Sequence, residues 1–357
     1  MLMMASVAFT GCVSDDGDDT DDIDDTVDPV GTESTSTLDT VIARGSLKCG
    51  VKDSQYGMGY LEADGTYTGL DIEYCKAVAA AIGVDTIEYV LATGSNRFEL
   101  LASEEIDVLI RTTTWTTSRD ADLNADFAGI NFYDGQGILV NKDAFPNATS
   151  ALHLDGAKIC VGIGTTTEGN IADYFTVNGM TYEAVNSDDA ATAKLQFEDG
   201  SCDAWTGDMS AMVAQKFGLD TTAVPNSAIM PELLSKEPLA AATRDNDDDW
   251  NDVVTWVWFG MLTAEELGIT GANYADADMT IPANDRLLNN NLGLGTEANP
   301  LSATWMQSVL AAVGNYEEAY TESFCTYDDS GSCLIDRAGS QNAPYWEGGL
   351  QYAPPMR

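Results

Sequence analysis

Short apolar strands and amphipathic helices alternate along this chain in two separate runs, and this pattern constrains the fold more than any other feature. The first run has predicted strands at residues 47–51, 87–91 and 106–110, and predicted helices at residues 74–82 and 97–103. The second run has predicted strands at residues 158–162, 182–185 and 204–205, and predicted helices at residues 167–175, 190–198 and 210–215. Alternation of this kind predicts parallel sheets covered by helices, so we expect an α/β protein.

The segments after each run indicate how the chain is organised. Tyr133–Val140, with Gly135 and Gly137, is predicted to be a long strand that carries the chain into a second lobe. A strand at Leu239–Thr243 and an apolar helix at Trp250–Leu262 follow the second run. The remainder, to Arg357, is predicted to be helical with loops and to pack back on the first lobe. A chain of 357 residues that is 44% apolar can bury a core in each of two lobes.

A polar turn follows the strand at residues 106–110. Within Arg111–Asp120, Thr116 is predicted to be a helix N-cap, which places Arg119 in the first helical turn. Hydroxyls, free backbone N–H groups and a guanidinium would then converge on one point, an arrangement that suits a carboxylate. The alternative is an ordinary capped turn with an arginine on the surface, and this segment alone does not decide between them.

The charge of the chain excludes one class of partner. The formal net charge is −42, from 58 acidic and 16 basic residues. Nucleic acid is therefore not an expected partner, because phosphate neutralisation requires lysine and arginine. A solvated acidic surface suited to salty surroundings explains this excess better than binding of a basic partner.

The first 37 residues resemble the start of an exported lipoprotein. Met1–Cys12 is a short apolar run that ends in a small residue and a cysteine, like the end of a lipoprotein signal peptide with Cys12 as the lipidated residue. Residues 13–37 are rich in Asp, Thr and Ser and are predicted to be a disordered tether. These features predict a protein outside the cytoplasm, in the periplasm or on the outer face of the cell membrane, that the lipid anchors without a membrane span.

Six further cysteines predict disulfides, since an even number outside the cytosol favours pairing. Spacing alone does not fix the pairs, because six cysteines allow fifteen connectivities. The neighbourhoods favour Cys49–Cys75, from the first strand to the first helix, Cys160–Cys202, between two strand ends, and Cys325–Cys333, which close a loop. No Cys-x-x-Cys pair occurs, so a metal site is not expected.

Several phrases of the sequence resemble the substrate-binding proteins of bacterial polar and general amino-acid ABC transporters. The resemblance covers residues 38–357 and is nearest to the general L-amino-acid branch. The phrases are Cys49–Val51, Thr68–Ala81, Arg111–Asp120, Phe132–Gly137, Gly164–Glu168, Ser235–Leu239, Ala264–Gly268 and Gly348–Arg357.

This resemblance implies the two-lobe periplasmic-binding-protein type II fold, in which two hinge strands join the lobes and ligand binds in the cleft. It places residues 38–138 and 237–357 in lobe 1 and residues 139–236 in lobe 2. The carboxylate-binding arginine of the family falls on Arg119, and its companion donors fall on Thr112 and Thr114. A bidentate guanidinium–carboxylate pair with hydroxyls at the remaining lone pairs is chemically sound.

The second lobe would supply the other half of the clamp. Thr165 and Thr166 lie between a strand and a helix, where their N–H groups can meet the same carboxylate, and a capping box that ends at Glu168 is a compatible alternative. The resemblance places the partner of the ligand ammonium on Asp208. Without it, Asp208 would be interpreted as one more surface acid.

Two further arginines have less defined roles. Related binders of acidic amino acids have an arginine at the position of Arg97, so Arg97 is expected either to reach the ligand side chain or to form a salt bridge with Glu99 or Glu73. Arg111 is expected to be a hinge-side or surface residue.

The resemblance implies a monomeric, lipid-anchored solute-binding protein that captures a free amino acid, closes about its hinge and presents the closed form to an ABC permease. It implies no enzyme activity and no cofactor. The alternatives are an enzyme of the cyclohexadienyl dehydratase type, which shares the architecture, and a sensory amino-acid-binding domain. Against an enzyme, the expected cleft contains no histidine and no acid–base pair beyond the groups that the ligand charges require.

Overall fold

A computed structural model describes residues 36–327 and 332–357. The helices are α1 (Thr37–Arg44), α2 (Leu70–Ile82), α3 (Arg97–Ala102), α4 (Thr117–Asp122), α5 (Thr166–Val177), α6 (Ala190–Glu198), α7 (Met209–Phe217), α8 (Asp248–Glu266), α9 (Pro282–Asn289), α10 (Trp305–Val313) and α11 (Tyr316–Phe324). The strands are β1 (Ser46–Val51), β2 (Ser54–Gln55), β3 (Gly59–Leu61), β4 (Tyr67–Thr68), β5 (Thr86–Leu91), β6 (Val108–Leu109), β7 (Ala125–Asp134), β8 (Gln136–Asn141), β9 (Ala157–Gly162), β10 (Tyr182–Ser187), β11 (Ala204–Asp208), β12 (Ser227–Ile229) and β13 (Glu237–Arg244).

The first lobe is built on a five-stranded sheet with the order β5-β1-β6-β13-β7. Strands β5, β1 and β6 are parallel, as the alternation predicted, whereas β13 is antiparallel to both β6 and β7. Helices α2, α8 and α10 pack on one another beside this sheet. Trp250, Trp258 and Trp305 are completely buried there, so the C-terminal helices complete the core of lobe 1, as predicted.

The second lobe is built on a five-stranded sheet with the order β10-β9-β11-β8-β12. Helix α5 covers one face, where Ile171 and Phe175 pack with Ile138. Helices α6 and α7 contribute Phe197 and Met212 to the core on the other face, which contains Leu139. The neighbours Ile138 and Leu139 belong to opposite cores because successive side chains of a strand point to opposite faces.

The chain crosses between the lobes twice, and the first crossing corrects a predicted boundary. Tyr133–Val140 is not one long strand, because β7 ends at Asp134 and β8 begins at Gln136 in the other sheet. Residues 136–138 therefore belong to the second sheet, three residues before the predicted boundary. A Cβ on Gly135 would lie 2.9 Å from the carbonyl oxygen of Ser235, so close passage of the second crossing segment requires glycine here.

The N-terminal boundary is also two residues earlier than predicted. Helix α1 begins at Thr37, and Ser36 is its N-cap. The Asp247 carboxylate accepts hydrogen bonds from Ser36 Oγ at 3.0 Å and Thr37 N at 2.7 Å, which attaches these residues to lobe 1. The predicted signal segment, Cys12 and the tether as far as residue 35 lie outside the described residues.

The three predicted disulfides are confirmed. Cys49–Cys75 joins β1 to α2, Cys160–Cys202 joins β9 to the residues before β11, and Cys325–Cys333 follows α11. Each lobe therefore has a covalent link between a strand of its sheet and a neighbouring segment. Within residues 36–327 and 332–357, no helix has both the length and the apolar character needed to cross a bilayer.

Candidate functional site

A cavity of about 180 Å³ lies between the two lobes. Lobe 1 contributes residues that follow its parallel strands: Lys52, Gln55, Arg97, Arg111, Thr112 and Thr114. Lobe 2 contributes residues at the ends of β9, β10 and β11 and at the starts of α5 and α7: Thr165, Thr166, Ser187, Asp208 and Met212. Parallel sheets commonly bind ligands outside the carboxyl ends of their strands, and both lobes present those ends to this cavity.

The lobes contact each other around the cavity, so the cleft is closed. Gln55 Nε2 donates to Ser210 Oγ at 3.0 Å, and Gln215 Nε2 donates to the carbonyl of Ser54 at 2.9 Å. Elsewhere at the cavity, a Cβ on Gly94 would lie 2.6 Å from the carbonyl oxygen of Ile163. Backbones of the two lobes therefore approach each other as closely as glycine permits.

The predicted turn around Arg119 is formed. Thr116 caps α4, and its hydroxyl accepts a hydrogen bond from Arg119 N at 3.3 Å. The Arg119 guanidinium is buried, donates from Nη1 to the carbonyl of Thr114 at 2.9 Å and lies 5.7 Å from the centre of the Phe98 ring. Arg119 is not among the residues that line the cavity. It therefore supports the cavity wall through Thr114.

Thr112 lies directly on the cavity in an unusual backbone conformation. Its φ is +43°, which is costly for a β-branched residue. Its N–H donates to Asp71 Oδ2 at 2.9 Å, while its buried hydroxyl has no partner among the described residues. A buried carboxylate therefore holds the strained turn, and the hydroxyl remains available to a bound molecule.

Arg111 is not the hinge-side or surface residue that we expected. Only 8% of it is exposed, and it lines the cavity, because it follows the central strand β6 at the edge where the cleft opens. Burial lowers the pKa of Arg111 to about 10, although the Asp208 and Asp71 carboxylates oppose the shift. Its Nε has no hydrogen-bond partner among the described residues.

Arg97 forms neither of the two expected salt bridges. Glu73 instead pairs with Lys76 at 2.8 Å, and Arg97 has no ion-pair partner in the described part of the chain. Its guanidinium lines the cavity, donates to the carbonyl of Gly164 in lobe 2 at 3.4 Å and leaves Nε unpartnered. Burial and the neighbouring Arg111 charge lower the pKa of Arg97 well below its usual range.

Asp208 is the last residue of β11 and lines the cavity from lobe 2. Among the described residues, none donates a hydrogen bond to its carboxylate, although the residue occupies the N-cap position of α7. Burial raises the pKa of Asp208, while the charges of Lys52, Arg111 and Arg97 act in the opposite direction. An acid without a donor therefore faces three cations across the closed cleft.

One charged residue of the cavity, Lys52, was not predicted from the sequence. Lys52 follows β1, and its Nζ donates to Gln55 Oε1 at 2.6 Å. Burial, followed by repulsion from Arg111, lowers the pKa of Lys52 to about 7. The position of Lys52 immediately after the first predicted strand was the available signal, because a neighbouring parallel strand also leads to the cleft residues Arg111 and Thr112.

At the start of α5, Thr165 has a capping role. Its Oγ1 accepts a hydrogen bond from Glu168 N at 3.2 Å and donates to the carbonyl of Gly162 at 2.7 Å. The Glu168 carboxylate accepts from Gly164 N at 3.0 Å. The N-terminal turn of α5 thus presents backbone N–H groups beside the cavity, while the Thr165 hydroxyl is occupied.

Glu237 is a second residue that the sequence did not identify. It begins β13 and is 1% exposed. Its Oε2 accepts hydrogen bonds from Thr114 Oγ1 at 2.6 Å and Thr166 Oγ1 at 2.7 Å. Two of the predicted ligand hydroxyls, one from each lobe, are therefore already bound to a protein carboxylate. No group of His, Cys, Asp and Glu suitable for a metal ion occurs within the described residues.

Comparisons with known proteins agree with this architecture. The glutamate/glutamine/aspartate/asparagine-binding protein BztA of Rhodobacter capsulatus is 43% identical over 334 residues, which are 92% of this chain and 95% of that protein. The general L-amino acid-binding periplasmic protein AapJ of Rhizobium johnstonii is 39% identical over 330 residues, which are 91% of this chain and 94% of that protein.

A solved structure shares the two-lobe fold. It is an ABC transporter/periplasmic binding protein from Brucella ovis with glutathione bound. The two sequences are 40% identical, the TM-score is 0.83, and the alignment covers 91% of this chain and 100% of that chain. Residues 47–268 match a family described as bacterial extracellular solute-binding proteins, family 3. The chain belongs to this family of solute-binding proteins.

Proposed function

We propose that the chain binds a free amino acid in the cavity between its lobes and delivers it to an ABC permease. The observation that carries the proposal is the arrangement of unpaired charge in a closed cleft. Asp208, which accepts no hydrogen bond from the described residues, faces cations of lobe 1 that include Arg97 and Arg111, each with an unpartnered Nε. A zwitterion would satisfy both sides at once, because buried charges need partners of opposite sign.

Each predicted ligand residue has a proposed role. Asp208 would bind the ammonium, and Arg97 would reach the ligand side chain. The α-carboxylate would lie at the polar wall that Arg119 supports, where Thr112 can donate through its hydroxyl. Thr114, Thr165 and Thr166 would contribute backbone N–H groups to the same end.

The relatives support the ligand class. BztA is named for binding glutamate, glutamine, aspartate and asparagine, and AapJ is named for binding L-amino acids in general. The two guanidinium groups at the cavity, Arg97 and Arg111, are more than one α-carboxylate requires, which favours ligands with a polar or acidic side chain.

Isothermal titration calorimetry with a panel of L-amino acids tests this proposal. Asp208→Asn should weaken binding by about 30-fold or more, since removal of one partner from a buried charge pair costs about 2–5 kcal/mol. Asp173→Asn is the matched control, because Asp173 is exposed on α5 and does not line the cavity. Equal affinities of Asp208→Asn and the wild type would refute the ammonium site.

Closure provides the link to transport. A ligand that contacts Asp208 in lobe 2 and Thr112 in lobe 1 binds the closed form better than the open form, so it shifts the population toward closure. A permease that recognises the closed form would then receive loaded protein. Ligand-stimulated ATPase activity of the reconstituted transporter is the corresponding measurement.

We infer that the protein binds ligand without chemical turnover. The relatives are binding proteins, and the charged groups at the cavity are those that a zwitterion requires. Mass spectrometry of an amino acid and of a cyclic dehydratase substrate after prolonged incubation separates the two functions. Loss of one water together with one carbon dioxide from the cyclic substrate would favour the enzyme.

We also propose that the protein is a monomer outside the cytoplasm, anchored through a lipid on Cys12. The family assignment supports export, and Met1–Cys12 supports the anchor. Expression of the wild type and Cys12→Ala in a bacterial host tests the anchor. The wild type should partition with membranes and the variant should not, and identical partitioning would contradict the proposal.

A further inference from the structure

Glu237 lies where the two lobes meet, and it belongs to neither the cavity wall nor the predicted ligand contacts. It pairs with Asp134 at the end of the β13–β7 ladder, next to the first crossing at Gly135. It is buried, and it is not one of the residues that line the cavity. A buried carboxylate at this position needs compensation, because an unpaired buried charge is costly.

Four neutral donors provide this compensation. Thr114 Oγ1 and Thr166 Oγ1 donate to Oε2 at 2.6 and 2.7 Å. Asn170 Nδ2 donates to Oε1 at 2.8 Å, and Ser235 Oγ also donates to Oε1. A carboxylate has about four lone-pair positions, so the acceptor capacity of Glu237 is filled.

The donors belong to both lobes. Thr114 lies in lobe 1, where it bridges to Leu239 of β13, whereas Thr166 and Asn170 lie on α5 of lobe 2. Opening of the cleft would move α5 away from Thr114, so the complete set of four bonds requires closure. Glu237 thus makes the kind of interlobe contact that a bound carboxylate would otherwise provide.

The hydrogen bonds to Glu237 also limit how the hydroxyls of Thr114 and Thr166 can interact with a ligand. A threonine hydroxyl has one proton, and those of Thr114 and Thr166 are directed to Glu237. Only lone pairs remain, so these hydroxyls can accept from an ammonium but cannot donate to a carboxylate. Among the described residues, the buried side-chain donors at the cavity that lack a partner are Thr112 Oγ1, Arg97 Nε and Arg111 Nε.

We propose that Glu237 is an interlobe latch, which stabilises the closed cleft with the protein's own carboxylate and fixes Thr114 and Thr166 as acceptors. This inference rests on the amino-acid site proposed above, which it deepens. Glu237 is a positioning residue, since it acts on the ligand through the two threonines. Its loss should therefore weaken every ligand by a similar factor.

Glu237→Gln tests the latch, because the amide keeps the shape but replaces two acceptor positions with donors. Calorimetry with several amino acids should show a uniform loss of about 10- to 100-fold, as expected for lost hydrogen bonds to a charged group. Thr166→Val, which removes the hydroxyl from lobe 2, should reduce affinity in the same direction. The loss in the double variant should be smaller than the product of the single losses.

Small-angle X-ray scattering provides a readout that a purely structural role would not change. Ligand-free Glu237→Gln should have a larger radius of gyration than the ligand-free wild type, and saturation with ligand should remove the difference. Glu232→Gln is the control, because the Glu232 carboxylate accepts from Ala151 N within lobe 2. The control should match the wild type in both experiments.

The possible results separate the two proposals. Unchanged affinity and unchanged scattering in a folded Glu237→Gln protein would overturn the latch, and so would a loss confined to one class of amino acid. If the wild type bound no amino acid, the proposed function would fail. The scattering of the ligand-free variants would still decide whether the latch exists.

Discussion

Replacement of Arg111 by methionine should have opposite effects on stability and on binding. The Arg111 guanidinium is buried, and its Nε has no partner among the described residues. Methionine has a similar length and carries no charge, so it removes a buried cation that the ligand-free site does not fully compensate. The same change removes a donor that a bound carboxylate would use.

The pKa of Arg111 indicates the size of the stability effect. Its decrease from 12.5 to about 10 includes the attraction of Asp208 and Asp71, so the surroundings as a whole disfavour the charged form. Each pKa unit corresponds to about 1.4 kcal/mol, which suggests a gain in unfolding free energy of roughly 1–3 kcal/mol for Arg111→Met. The loss of a charge-assisted hydrogen bond should weaken amino-acid binding about 10- to 100-fold.

Thermal denaturation and calorimetry on the same preparations measure both effects. The Tm of ligand-free Arg111→Met should rise by about 2–4 °C per kcal/mol gained. Arg286→Met is the control, because the Arg286 guanidinium donates to the carbonyl of Met356 away from the cavity. A lower Tm together with unchanged affinity in Arg111→Met would refute the interpretation of Arg111 as an uncompensated ligand-binding cation.

Three further predictions concern closure, pH and the disulfides. Gly94→Ala should weaken ligand binding without loss of ligand-free stability, because the added Cβ meets lobe 2 only in the closed form. Gly169→Ala is the control and should leave ligand affinity unchanged, because there is open space around its Cβ. Calorimetry compares the two variants, and equal affinities would contradict closure. Burial and the Asp208 charge raise the pKa of Asp134 to about 7, so its stabilising contribution is complete below the unfolded pKa of about 4 and is lost as the pH rises to 7. Asp134→Asn should reduce the decrease in Tm between about pH 4 and pH 7, and an unchanged dependence of Tm on pH would refute this prediction. Replacement of Cys160 and Cys202 by alanine should cost about 4 kcal/mol, since their disulfide closes a loop of 42 residues, and urea denaturation would measure the loss.

The alternation of strands and helices predicted much of the fold because it is a local property. The parallel arrangement of β5, β1 and β6 agrees with this pattern, and so does that of β10, β9 and β11. Local reasoning also predicted the Thr116 cap and the position of Arg119 after it. The place where the chain changes sheets was not predictable in this way, because Gly135 is required by the approach of Ser235 about a hundred residues later.

The site residues also include some that local sequence predicts and some that depend on distant parts of the fold. The sequence indicated the turn that contains Thr112, yet it did not distinguish the two arginines of that turn. In the structure, Arg111 lines the cavity and Arg119 lies behind Thr114. Which of two neighbouring guanidinium groups faces a cleft depends on the partners that the rest of the fold provides.

The acidic residues of the cleft differ in their hydrogen bonds, which the sequence does not reveal. Among 58 acidic residues, neither Glu237 nor Asp208 is distinctive by type or spacing. The structure separates them by their donors: Glu237 has four neutral donors from both lobes, whereas Asp208 has none among the described residues. A carboxylate whose lone pairs are filled can stabilise a closed form but cannot bind an ammonium. A carboxylate beside a cavity that accepts no hydrogen bond from the protein can bind an ammonium. The proposals above assign Glu237 to closure and Asp208 to the ligand, so replacement of each carboxylate by its amide should affect different properties. Glu237→Gln should change the radius of gyration of the ligand-free protein, whereas Asp208→Asn should change affinity and leave that radius as it is.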